Sequence, residues 1–306
     1  MAIYKPIPIV DQTIWGSNRL NLQRDNSDQK GGTSWEVSFH EYGSNAVVDE
    51  SGTLKDLLEK DQVAMIGSLD PNRVLRICYL DTKEQLSIQL HPTVQYAQEH
   101  QIGDYGKSES WYIIEAQPGS TIKAGTDIET IEELKANIEN GSIANRMIEH
   151  PVKPGDFIYI PAGTLHALGA GIFAVEVGTN SNTTYRVFDY NRTDDQGHRR
   201  ELHIDQVLAT VDLGLKPTVI SVEPTVNELY ILTENEHFTV GLLEFDGSLE
   251  FELMGSPLYL TILDGDMTIN SETFDNLDNL FVSGVEETLF IEGRGKLLIS
   301  YTSETV

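Results

Sequence analysis

From Val74 onward, nearly every apolar stretch of this chain is short and stops at glycine, proline, asparagine or aspartate. The segments VLRICYL, QLSIQLH, ESWYIIEA, STIKAG, DFIYIP, GIFAVEV and TTYRVFDY come first. After a break at GLKPTV the series resumes with NELYILT, FTVGLLEF, LEFELM, LYLTILDG, DMTIN, NLFVSG, ETLFIEG and KLLISYT. Strand-prone segments at such close turn spacing build sandwiches or barrels, because each must find its partner through a short connection. Helical periodicity is confined to a few places. In DIETIEELKANIENG the residues Ile128, Ile131, Leu134 and Ile138 form one stripe, with Thr126 or Asp127 as N-cap and Gly141 as terminator. SGTLKDLLEK reads as a short helix capped by Ser51 or Thr53, and HIDQVLATVD as a short helix or turn. Residues 1–25 read as extended pieces and turns, NSDQKGGT as a loop, and SWEVSFH as a strand. The expectation is a mainly β protein of two units, dividing near residues 205–225.

The chain has 306 residues, 40% of them hydrophobic, which is enough for a substantial core in one large or two ordinary domains. No apolar run approaches the roughly 20 residues that span a bilayer. The start MAIYKPIPIVDQ lacks a charged segment followed by an apolar one, so no signal peptide is expected. The single cysteine, Cys78, excludes an internal disulfide and a cysteine-built zinc knuckle; a cytoplasmic location is expected. A net charge of −27 repels nucleic acid and anionic membranes, and neither is expected as a partner. An anionic small substrate would need a local basic pocket.

Two segments carry the chemistry. In SIQLHP, alternation puts Ser87, Gln89 and His91 on one face of a strand and Ile88 and Leu90 on the other. In GDFIYIPAGTLHALG, a glycine turn leads through an apolar strand to Pro161, Gly163 and His166. That spacing matches the second half of the double motif seen in cupin barrels, in which proline and glycine turn the chain at the barrel mouth and the histidine points inward. The first half of the motif has His-x-His and then a glutamate; here stand Gln89-x-His91 and, at the start of a later strand, Glu109. Gln89, His91, Glu109 and His166 would offer two imidazoles, a carboxylate and an amide oxygen, a set suited to zinc or a similar divalent ion. Gln89 is open to a second reading, as a hydrogen bonder to a ligand.

Six segments in order, WGSNRL, SWEVSFH, LSIQLHP, YGKSESWYII, PGDFIYIPAGTLHALG and NTTYRVFDYNR, make the sequence similar to the type I mannose-6-phosphate isomerases (phosphomannose isomerases) in their short bacterial form. The resemblance covers roughly residues 14–192. It implies a metal-binding cupin (jelly-roll) barrel with a small helical insertion near 127–141, the catalytic domain being 1–215, and a second, degenerate cupin-like β unit over 216–306. It implies one zinc ion per chain on Gln89, His91, Glu109 and His166, another divalent metal being open, with Arg186, Lys107 and Glu176 as catalytic residues. Ser87, Lys107 and Arg186 would contact substrate. Trp15 and Gly16 match a structural motif. Two departures stand out. Thr93 and Val94 follow the HP pair where acidic residues are frequent, and NRVLRICYLD carries arginines and a cysteine where a more apolar run with a lysine is expected.

The reaction implied is the interconversion of mannose 6-phosphate and fructose 6-phosphate, a proton transfer between C1 and C2. It needs charge stabilisation at the sugar oxygens, a proton shuttle and a phosphate anchor. Arg186 supplies a fixed cation, its plain alternative being a surface ion pair with Asp189 or Asp194. Lys107 makes a phosphate contact or transfers a proton, or is a solvated lysine. Glu176 carries a proton or orients a ligand, and Ser87 contacts sugar or phosphate, or is an ordinary strand serine. Arg192, Arg199 and Arg200 form the one compact basic cluster, a phosphate collector or a network with Asp194, Asp195 and Glu201. The competing functions are a non-catalytic sugar-phosphate-binding cupin and another metal cupin enzyme. A monomer and a homodimer are both compatible with the sequence.

Overall fold

A computed structural model describes residues 3–24, 28–252, 256–284 and 288–303. Its framework is three antiparallel sheets. One runs in the order Ile220–Ser221, Asp156–Ile160, Glu109–Ala116, Ile172–Thr179, Leu75–Asp81, Thr33–Val37, Ile9–Asp11. A second, of five strands, runs Tyr185–Phe188, Ile88–Leu90, His166–Leu168, Thr121–Thr126, Met147–Pro151. Side chains from both sheets meet in a common core that includes Trp111, Ile113, Ile158, Ile160, Ile122, Ala124 and Leu168. These two sheets are the walls of the expected barrel.

The outer face of each wall is also covered. Ile88, Leu90, Ala167, Tyr185 and Val187 turn away from the barrel and pack on Leu134, Ile143 and Val207 from the helical segments. Ile77, Tyr79, Val175 and Val177 of the larger sheet pack on Val240, Leu242, Tyr259, Phe281 and Leu298 of the third sheet. That third sheet buries its own far face in a separate core of Leu243, Phe245, Leu260, Ile262 and Leu297. The neighbours Leu242 and Leu243 serve opposite cores, as a strand's period of two requires. Two short strands cross the expected division of the chain. Ile220–Ser221 pairs with Asp156–Phe157 of the barrel, and Ile3–Tyr4 joins the edge of the third sheet at Phe281–Val282.

Several local expectations are corrected. The insertion helix spans Ile131–Glu139 and is capped by Thr130, whose hydroxyl accepts the Glu133 N–H, rather than by Thr126 or Asp127. Asp127 is engaged elsewhere, taking the Arg146 Nε at 2.7 Å. Ile128 still joins the stripe's core from outside the helix. Thr53 caps Leu54–Lys60 with a reciprocal bond from Asp56. Helices at Arg19–Arg24, Gln62–Ile66 and Val94–Glu99 are too short to show a periodic stripe, and the first lies in a region read as extended. In the C-terminal part, pairs of predicted strands fuse. FTVGLLEF and LEFELM lie in Phe238–Glu252, LYLTILDG and DMTIN in Leu258–Ile269, ETLFIEG and KLLISYT in Thr288–Thr302. Leu253, Met254 and Glu287 of those segments, and Asn26 and Ser27 of the predicted loop, fall outside the described residues.

The glycines that looked like turns are inside these strands. Gly247, Gly265 and Gly293 have φ of 115°, 124° and 120°, a region that side chains disfavour. Gly265 lies opposite Gly295, and a Cβ on Gly265 would come within 2.3 Å of the Arg294 carbonyl oxygen. Glycine therefore lets two long strands bend together without parting. Gly265→Ala should destabilise the protein by about 2 kcal/mol or more. The check is a lower denaturation midpoint with unchanged metal content in the folded fraction.

Candidate metal centre

The local fold brings the candidate ligands to one end of the barrel. In the five-stranded wall, Gln89 lies directly opposite His166 on one side and Arg186 on the other, so all three share a face. Its other face is the buried run Ile88 and Leu90, which fixes the register, since a one-residue slip would exchange the two sets. In the larger wall, Glu109 begins its strand opposite Ile160 and Gly178. The Pro161–Gly163 turn follows Ile160, and the Gly163 N–H donates to the His91 carbonyl at 2.8 Å. Gly163 has φ of 85°, so the glycine is required by the turn that joins the two histidine segments. The polar face of SIQLHP is thus not turned to water: Ser87 and His91 are buried and Gln89 half-buried.

His91, Glu109 and His166 converge, with potential ligand atoms within 4.8 Å of one another, all three side chains buried. His91 Nδ1 donates to the Thr183 carbonyl and His166 Nδ1 to the Thr164 carbonyl, each at 2.9 Å. Both imidazoles therefore present Nε2 as a lone pair. Those lone pairs point at Glu109: His91 Nε2 is 3.5 Å from Oε2 and His166 Nε2 is 3.2 Å from Oε1. Neither Nε2 nor Glu109 Oε1 has a hydrogen-bond partner, and Oε2 is met by the Lys107 ammonium. Acceptors facing acceptors in a buried interior repel, and a cation between them removes the repulsion. The donor set therefore fits a divalent metal such as zinc, with backbone carbonyls orienting the imidazoles. Burial, then the nearby Lys107 ammonium, pushes His91 down to about 4, so its imidazole is neutral at neutral pH. Burial alone would raise the Glu109 carboxyl, but Lys107 and His91 overrule it and hold it well below the usual range. Gln89 lies beside the triad in register, and its Oε1 accepts the Ser87 hydroxyl at 3.2 Å.

A chain of charges runs from the triad into the barrel. Lys107 Nζ stands 2.5 Å from Glu109 Oε2 and 3.0 Å from Glu176 Oε1. Burial would lower the Lys107 ammonium's pKa, but the Glu109 and Glu176 carboxylates raise it, so it stays protonated. Glu176 touches Lys107 and Arg76 and orients neither metal-facing histidine; carbonyls do that instead. Arg186 pairs with neither Asp189 nor Asp194. Its Nη1 donates to the Glu201 carbonyl at 2.9 Å and its Nε is buried without a partner. Burial, then the neighbouring Arg200, lowers its pKa from the ordinary arginine value. The basic cluster is a network after all, with a partner other than those expected. Asp189 receives Arg200 at 2.6 and 2.8 Å and Arg192 at 2.5 Å, while Arg199 is exposed.

Two groups escaped the sequence reading. Arg76 stood among the noted departures, yet alternation puts it on the face of Cys78, and that face lines the barrel. Trp111, two residues beyond Glu109, meets His166 edge-on at 5.6 Å between ring centres. An aromatic beside a strand-borne ligand was the available signal. A cleft of about 640 Å³ outside the barrel contains Glu36 and Arg24, but that carboxylate is already held by Arg24 and Asn279.

Comparison with known proteins gives a consistent set of relatives. A mannose-6-phosphate isomerase of Streptococcus mutans is 32% identical over 304 residues, covering 95% of each chain. A mannose-6-phosphate isomerase of Bacillus subtilis is 34% identical over 267 residues, covering 85% of this chain and 84% of that one. The crystal structure of the mannose 6-phosphate isomerase from Bacillus subtilis superposes with a TM-score of 0.86 at 27% identity, over 98% of this chain and 99% of that one. No protein-family model matches.

Two outcomes follow from this geometry. His91→Ala and His166→Ala should each purify without the metal that the parent retains, as elemental analysis will read. The metal-free parent should lose stability as pH falls. Between 6.5, the unperturbed value, and about 4, the unfolded His91 binds a proton that the folded one refuses, so stability present above this window is lost through it. The loss attributable to His91 is about 3 kcal/mol, measured as the flatter pH dependence of the denaturation midpoint in chelated His91→Gln.

Proposed function

The chain belongs to the mannose-6-phosphate isomerases, and on that footing we propose that it is a zinc-dependent isomerase interconverting D-mannose 6-phosphate and D-fructose 6-phosphate. The observation that carries the reading is the buried triad of His91, Glu109 and His166, whose facing acceptors call for a cation. Gln89, His91, Glu109 and His166 hold the metal, which when bound supplies a Lewis acid for the sugar oxygens.

The other residues handle protons and charge. The Glu176 carboxylate takes the proton from C2 of the open-chain aldose while the Lys107 ammonium gives one to the C1 oxygen, leaving an enediol. The carbon-bound proton then returns to C1 as the C2 hydroxyl proton passes to Lys107, and both side chains end as they began. Support comes from the protonated state of Lys107 and its 3.0 Å contact with Glu176. Arg186, with an unpartnered buried Nε, faces the charge that develops on the oxygens. Ser87 contacts sugar beside Gln89. The catalytic unit comprises residues 1–215, which contain every residue named, and 216–306 form the second unit.

A coupled assay tests the proposal. Zinc-loaded protein should convert mannose 6-phosphate to fructose 6-phosphate and stop when a chelator is added; a metal-loaded protein without turnover would sink the reading. Arg186→Ala should keep its zinc and lose about a hundredfold or more in kcat. Glu176→Gln should fold, retain zinc and no longer exchange the substrate's C2 proton with solvent, as NMR in deuterium oxide will show.

A further inference from the structure

The barrel contains a cation with donors left over. Arg76 is 5% exposed, and among the described residues its guanidinium donates one hydrogen bond, from Nη2 to Glu176 Oε1 at 3.3 Å. Nε and Nη1 are buried with no hydrogen-bond partner. Its guanidinium carbon lies 4.6 Å from the centre of the Trp35 ring, which fixes the plane of the fork. The carboxylate it touches is also held by Lys107, so Arg76 receives only a share of one charge. Burying a guanidinium on these terms costs stability unless a ligand supplies the missing acceptors.

Its place in the sheet is specific. Arg76 lies opposite Gly178, and Gly178 lies opposite Glu109 on its other side, so the three stand in a row across adjacent strands. A Cβ on Gly178 would reach within 2.9 Å of the Ser108 carbonyl oxygen and 3.2 Å of Glu109 Cβ. The glycine is what lets the Glu109 strand approach this closely, and Glu176 and Lys107 stand between the guanidinium and the triad. Two strand spacings, roughly 10 Å, separate the backbones of Arg76 and Glu109. The other cations named for this role are engaged or remote: Arg192 and Arg200 by Asp189, Lys107 by two carboxylates, and Arg199 exposed.

Resting on the isomerase reading, we propose that Arg76 is a substrate-binding residue whose Nε and Nη1 donors receive the phosphate of the sugar phosphate, with the reacting carbons at the triad. Phosphate is the group on such a substrate that accepts two parallel N–H bonds and answers a full positive charge. In a chain of net charge −27 the site has to be local and enclosed.

The test uses the zinc-loaded parent, Arg76→Met and Arg76→Lys, with zinc content, steady-state kinetics on mannose 6-phosphate, and binding of inorganic phosphate by calorimetry. Arg76→Met should retain zinc, raise KM at least tenfold with a smaller change in kcat, and weaken phosphate binding at least tenfold. Arg76→Lys, which keeps the charge without the fork, should fall between. Phosphate affinity unchanged in Arg76→Met overturns the inference, as does a parent that binds no phosphate. Loss of zinc in Arg76→Met also overturns it, because Arg76 would then act through the Glu176–Lys107–Glu109 contacts that support the triad. Should Arg76→Met fail to fold, unchanged phosphate affinity in Arg76→Lys overturns it. A parent that binds phosphate and turns over no sugar phosphate sinks the isomerase reading alone.

Discussion

Two imidazole lone pairs and a carboxylate face one another, buried at one end of the barrel, and much of the surrounding structure exists to hold them there. The Thr183 and Thr164 carbonyls take the Nδ1 protons, so neither ring can turn its lone pair away without breaking a buried hydrogen bond. The Gly163 turn ties the end of one histidine segment to the start of the other. Glu109 comes from the opposite wall, so the centre can form only when both sheets have closed over the shared core of Trp111, Ile158 and Leu168. Ligand geometry and barrel closure are therefore one event.

Charge inside the barrel is arranged in alternation. Glu109, Lys107, Glu176 and Arg76 follow one another through contacts of 2.5, 3.0 and 3.3 Å. Each carboxylate has a cation beside it, which keeps Glu109 ionised and Lys107 protonated despite burial. The same arrangement divides labour. Glu109 is turned to the histidines, while Glu176, Lys107 and Arg76 line the interior behind it. Outside, Asp189 is shared by Arg192 and Arg200 and leaves Arg186 as the arginine beside Gln89 without an acidic partner.

The third sheet contributes from a distance. It covers Tyr79 and Val177, whose strand neighbours Cys78 and Glu176 face the barrel, and so it seals the back of the wall that carries the charges. Its long strands could not stay paired past Gly265 and Gly293 with ordinary residues at those positions. Those glycines read as turn signals in the sequence because a residue with positive φ is most often at a turn; only pairing across the sheet reveals a bend inside a continuous strand.

What the sequence determined by itself is what local chemistry encodes. Alternation assigned Ser87, Gln89 and His91 to one face, and the Pro-x-Gly-x-x-His spacing marked His166, because side-chain period and turn residues are properties of neighbouring positions. Strand-rich content was legible for the same reason, and the family through the resemblance of six ordered segments. The start of the insertion helix was not, since Thr126, Asp127 and Thr130 are all competent caps and Arg146, far along the chain, draws Asp127 away. The partner of Arg192 and Arg200, the carbonyls behind the histidines and the unpartnered donors of Arg76 were likewise decided only in three dimensions. Each depends on which strands become neighbours, and that follows from burying four cores at once rather than from any single segment.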